Sequence, residues 1–136
     1  MRLYWEGTNI ASTDLDLEIA RDEKDQFLLR LDTTSKDPAI SYLSDTASKS
    51  GEPIELEYDP GSKSQETAVA VELLDKTSDY ITTELNHVLR DESRMAHVSP
   101  VLQEALSNFE KIVPTGLCIT GYRGSILCYY RIVRNE

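Results

Sequence analysis

Two stretches of the chain alternate apolar and charged residues with a period of two. Leu15, Leu17 and Ile19 interleave with Asp14, Asp16 and Glu18, and Phe27, Leu29 and Leu31 interleave with Leu28, Arg30 and Asp32. Successive side chains of a strand point to opposite faces, so this pattern predicts two half-buried strands, and Asp22-Glu23-Lys24-Asp25 between them predicts the turn of an antiparallel hairpin. Leu3-Tyr4-Trp5 predicts a further short strand before a turn at Gly7-Thr8-Asn9. Ile54, Leu56 and Tyr58 alternate with Glu55, Glu57 and Asp59, and Pro60-Gly61-Ser62 predicts a turn into a second strand over 67–74, whose inward side chains are Val69, Val71 and Leu73.

The helical signals have a different spacing. Asp37-Pro38 reads as an N-cap followed by proline at the first helical position, with Ile40, Leu43 and Ala47 on one face and Ser50-Gly51 as the stop. Thr77 or Ser78 is placed to cap a longer helix carrying Ile81, Leu85, Val88 and Leu89, which frays over 91–96. Ser99-Pro100 repeats the cap-plus-proline signal for a helix striped by Leu102, Ala105, Leu106, Phe109 and Ile112, closed by Pro114 and Gly116. A last hairpin is predicted from Leu117–Thr120 and Ser125–Val133 around Gly121-Tyr122-Arg123-Gly124. The fold class expected is α+β: a single domain over 1–136, an antiparallel sheet of hairpins with two or three helices packed on one face.

Charge divides the chain unevenly. The last 24 residues hold three arginines against one acid, which leaves 23 acids against 11 bases in the first 112 and a net charge of −10 overall. Such acidity repels nucleic acid and membrane surfaces and favours a basic protein partner, with a second copy of the chain as the other partner considered. Neither a signal-peptide layout nor an apolar run of the about 18 to 20 residues that a membrane span needs is present, so the chain is expected to be cytoplasmic. Two cysteines are too few for a disulfide framework or a four-cysteine zinc site, and no cofactor is expected.

Candidate chemistry is sparse. Glu84-x-x-His87 has the spacing of carboxylate-bridged iron sites, but the second copy such a site needs is missing, because Arg94 precedes His97. Cys118 and Cys128 alternate within apolar strands; a three-residue hairpin loop would set them opposite each other, and a four-residue loop would set Cys118 opposite Leu127. No Gly-x-Ser-x-Gly elbow occurs, and Gly121-Tyr122-Arg123-Gly124 lacks the Walker lysine.

Binding is the better-supported role. Asp14, Asp16 and Glu18 from one hairpin and Glu55 and Glu57 from the other form an acidic comb if both hairpins share a sheet, and Tyr122, Arg123, Tyr129 and Arg131 around the last hairpin are of the types enriched at interface anchors. Both sides of the last strand are largely apolar. It is therefore expected to be either the central strand of the sheet or an edge that a partner completes. The expected function is a non-catalytic acidic interaction module of the inhibitor, immunity or anti-defence, chaperone or small-subunit kind. The alternative is a small-ligand-binding protein or hydrolase with a pocket between helices and sheet.

Overall fold

The computed structural model describes residues 5–9, 16–22, 24, 26–33, 38–119 and 126–135. They form a six-stranded antiparallel sheet with helices on one face, an α+β architecture. The strands are β1 (Glu6–Asn9), β2 (Asp16–Arg21), β3 (Phe27–Thr33), β4 (Ile54–Glu57), β5 (Phe109–Ile119) and β6 (Ile126–Arg134), in the spatial order β1-β2-β3-β6-β5-β4. The helices are α1 (Pro38–Ser50) between β3 and β4, then α2 (Gln65–Arg90), the single turn α3 (Glu92–Met95) and α4 (Pro100–Leu106) between β4 and β5.

The alternation in β2 and β3 works as read. Leu17, Ile19, Phe27, Leu29 and Leu31 face the helices and are at most 1% exposed. Ile126, Cys128, Tyr130 and Ile132 of β6 and Leu117 and Ile119 of β5 continue the same layer, against Ile40, Leu43 and Ala47 of α1, Ala70, Leu73, Leu74, Ile81, Leu85 and Val88 of α2, and Leu102, Ala105 and Leu106 of α4. One apolar cluster thus joins every long helix to the inner face of the sheet.

Residues 67–74 are helical, which corrects the strand expected there. Thr67, Val69, Val71 and Leu73 alternate in sequence, but Ala70, Leu73 and Leu74 are the buried residues, and they continue the three- and four-residue spacing of Ile81, Leu85 and Val88 along one stripe. The cap is Ser64, whose hydroxyl accepts from the Thr67 amide at 3.3 Å, rather than Thr77 or Ser78; the Thr77 hydroxyl donates to the Leu73 carbonyl at 2.7 Å. With its hairpin partner gone, β4 pairs only with β5 and becomes an edge of the sheet.

The helix expected through Ile112 stops at Leu106. Asn108 adopts a positive φ of 61°, the left-handed conformation that ends helices, and Phe109 and Ile112 belong to β5. Pro114 and Gly116 lie inside that strand, at a register irregularity where the missing proline N–H is tolerated. Residues 91–96 do not fray, because the Asp91 carboxylate accepts from the Ser93 and Arg94 amides and caps α3. At the N-terminal edge, Gly7-Thr8-Asn9 is part of β1 instead of a turn, while Leu3 and Tyr4 lie outside the described residues. Among the described residues no helix is long and apolar enough to cross a membrane.

Candidate functional site

The face of the sheet opposite the helices is built from cross-strand rows, because antiparallel pairing sets residues of neighbouring strands side by side. One row runs Glu18, Arg30, Tyr129, Gly116, Glu57 across β2, β3, β6, β5 and β4. The next runs Asp16, Asp32, Leu127, Cys118, Glu55. A third places Ala20, Leu28, Arg131 and Val113 together. Counted from β2 to β4, the first two rows have acids at both ends, with Arg30 and Asp32 next to the β2 acids and an aromatic, apolar or bare stretch between; on β1 they continue with Gly7 and Asn9. Four strand spacings, about 19 Å, separate the two acidic ends.

The predicted comb is therefore two short combs. Glu18 stands at one end of a row, Glu55 and Glu57 at the far edge, and the structure does not bring them together. Glu18 is also engaged already: the Arg30 guanidinium donates to its Oε2. The same guanidinium stacks on Trp5, with Cζ 4.5 Å from the ring centroid, and Trp5 meets Tyr129 at a tilted 58° with centroids 6.1 Å apart. Trp5 and Arg30, which sequence reasoning missed as site residues, tie the outer face together. The signal for Arg30 was its place at an outward position of β3 opposite Glu18. The signal for Trp5 was its being the sole tryptophan, two positions from the Gly7 that was read as a turn.

Along β6 the inward residues Ile126, Cys128 and Tyr130 are 0% exposed, whereas Leu127, Tyr129, Arg131 and Val133 are half-buried on the outer face. The strand is central in the sheet, between β3 and β5. Among the described residues no helix covers its outer side. Tyr122, Arg123 and Asp14 lie outside the described residues, as do the side chains of Asp16 and Thr33.

The two thiols end on opposite faces. Cys118 pairs with Leu127 and Cys128 with Leu117, the register in which no cross-strand disulfide forms. Burial against apolar neighbours pushes the Cys128 thiol up to about 12. Partial burial and the nearby Glu55 carboxylate raise Cys118 as well, so neither sulfur is an activated thiolate at neutral pH. His87 and His97 are exposed on the helical layer, on the other side of the sheet from Cys118. The Tyr129 hydroxyl is raised by burial, an effect that Arg30 opposes.

Two hollows are lined by described residues. A surface hollow of about 240 Å³ lies where β4 meets β5 and β6, lined by Glu55, Glu57, Thr115, Gly116, Cys118 and Tyr129 together with the backbone of the strands. A groove of about 480 Å³ runs between α1 and α2, lined by Pro38, Ala39, Tyr42, Val69, Glu72, Leu73 and Lys76. The second of these lies between two helices, whereas the alternative reading of the sequence placed a pocket between helices and sheet. Comparison of the chain with protein-family models, with curated proteins and with solved structures returns no match.

Proposed function

We propose that the chain is a non-catalytic protein-interaction module, of the inhibitor, immunity, chaperone or small-subunit kind, that docks a basic protein on the open face of its sheet. The observation that supports this reading is the composition of the cross-strand rows: Tyr129 and Leu127 in the middle of two rows with carboxylates on β2 and β4, Arg131 in the row beside them, and no helix over them among the described residues. An apolar and aromatic centre inside a charged margin is the composition of protein interfaces. The partner's charge follows from the margin and from the net −10 of the chain. A second copy fits less well: twofold stacking about an axis along or across the rows sets acidic row ends on acidic row ends, which costs affinity.

The test is capture of basic proteins by the immobilised chain at increasing ionic strength, comparing the wild type with a Glu55→Lys/Glu57→Lys variant and with Tyr129→Ser. Surface charge is screened beyond about 10 Å at 0.1 M salt, so docking through the margins loses affinity steeply with salt. Support requires that salt, charge reversal and Tyr129→Ser each weaken the same captured protein. Capture indifferent to all three removes the open face from the function. The α1–α2 groove favours a second reading, an apolar small ligand bound between helices. It is checked by whether a fluorescent apolar probe binds the wild type and is lost from Val69→Trp, which fills the groove.

A further inference from the structure

The hollow at the β4 side of the open face carries a more specific assignment, which rests on reading that face as a docking surface. We propose that it receives one arginine side chain of the partner protein.

The geometry has three parts. Its floor is bare backbone: Gly116 has no side chain, and a Cβ built there would stand 2.6 Å from the Leu56 carbonyl oxygen, so a larger residue cannot fill it without moving β4. One wall is Tyr129, half-buried and held in register opposite Gly116. The other wall carries Glu55 and Glu57, two residues apart on the same face of β4 and so about 7 Å from each other. Neither carboxylate has an ion-pair partner among the described residues, whereas Glu18 and Glu104 each pair with an arginine.

A hollow of about 240 Å³ is too small for a helix or a strand and large enough for the end of one long side chain. Two carboxylates beside an aromatic ring suit a cation. The planar guanidinium suits them better than an ammonium: it spans two acceptors with separate N–H groups while its face lies on a ring. The raised Cys118 thiol, for which Glu55 is a cause, is consistent with an uncompensated negative field in this corner. On the opposite margin the chain uses the same chemistry internally, with Arg30 between Glu18 and Trp5. The hollow sets the same residue types, carboxylates and an aromatic ring, on either side of Gly116.

The probe is Nα-acetylargininamide, titrated into the intact chain at constant ionic strength and followed by amide chemical shifts, with Nα-acetyllysinamide and sodium chloride as controls. The expected result is saturable millimolar binding with shifts confined to residues 55–57, 115–118 and 129. The arginine derivative binds more tightly than the lysine derivative, and Glu55→Gln/Glu57→Gln weakens it about tenfold, the size of one lost charge-assisted contact. Shifts that do not saturate, that match those from salt, that are equal for lysine or that persist in the double variant overturn the assignment. Both substitutions are isosteric and at exposed positions, and an unchanged thermal midpoint confirms that the fold is intact. Partner capture that is unaffected by this double variant but lost in Tyr129→Ser rejects the arginine hollow and leaves the docking face standing. Capture unaffected by either variant rejects the face as well.

Discussion

The two sides of β6 belong to one strand and are both largely apolar, with Arg131 the one charged residue between Ile126 and Val133, yet they meet different surroundings. Ile126, Cys128 and Tyr130 are sealed against α2 and the rest of the helical layer, while Leu127, Tyr129, Arg131 and Val133 stand on an open face between acidic margins. The inner side is held by packing and has no charge. The outer side leaves half-buried apolar and aromatic residues at the centre of the sheet with no helix over them among the described residues. On the proposed reading, that difference separates residues kept for stability from residues available for contact.

The widest separation is expected from truncating one leucine on each side. Leu29→Ala on the inner face, 0% exposed, should cost about 2 to 5 kcal/mol of unfolding free energy, since it loses the buried group and leaves a cavity. Leu127→Ala, half-buried on the outer face, should cost about 1 kcal/mol. Urea unfolding of the two variants measures both. Equal losses would mean that the outer face is as enclosed as the inner and is no docking surface.

A pH series sharpens the same contrast. Cys128 is raised from 9.0 to about 12 in the folded chain, first by burial, so the folded state keeps the proton that the unfolded state releases. Its contribution is fully present below pH 9 and is lost as pH rises from there toward 12, at about 1.4 kcal/mol per pH unit inside that window. Tyr130, raised mainly by burial, acts in the same direction from its ordinary value of 10.0 upward. Stability should therefore fall between pH 9 and 11 in the wild type and fall less in Cys128→Ala. In the same samples at pH 8, a thiol reagent should label Cys118 first and Cys128 only on unfolding. Simultaneous labelling would contradict the burial difference.

Tyr130→Phe is expected to have a smaller effect, of opposite sign. The Tyr130 hydroxyl is buried beside the Cys128 thiol and the Thr77 hydroxyl without a hydrogen bond of good geometry to either, and Thr77 donates to Leu73. Removing it should raise stability by about 1 kcal/mol, because an unsatisfied buried hydroxyl carries its desolvation cost. A loss of stability in urea unfolding would reveal a partner for the hydroxyl.

The inner side of this contrast was legible in the sequence and the outer side was only partly so. Leu17, Ile19, Leu29 and Leu31 announced their face because charged residues mark the other one, and Pro38 and Pro100 announced helix starts because proline fits the first turn. Residues 67–74 were misread because β-branched residues at every second position imitate a strand. The decisive signals, the capping Ser64 and the small Ala70, are local and weak compared with the tertiary burial that selects the helix. Phe109 and Ile112 fell by coincidence on the stripe of α4, and only the left-handed Asn108 separates helix from strand. The rows across the sheet were not legible at all. They depend on β6 entering between β3 and β5, a choice of neighbours that no single strand's pattern records.

The smallest expected effect tests whether the Glu18 margin is a solvated surface or part of the core. Arg30 and Glu18 are paired at 24% and 33% side-chain exposure, and the Arg30 Nε is buried with no partner among the described residues. A partly exposed pair contributes little net energy, since Coulomb attraction is offset by desolvation and by the ordering of two long side chains. Glu18→Gln should therefore cost about 0.5 kcal/mol, and 1 M salt should remove most of the difference. Trp5 keeps Arg30 in place through its ring, so the outer face should hold its shape in this variant, and the Trp5 fluorescence maximum should stay where it is. A loss above about 3 kcal/mol, the size seen when one partner of an enclosed pair is removed, would show that something covers this margin, and the open face would then begin at Tyr129 instead of at Glu18.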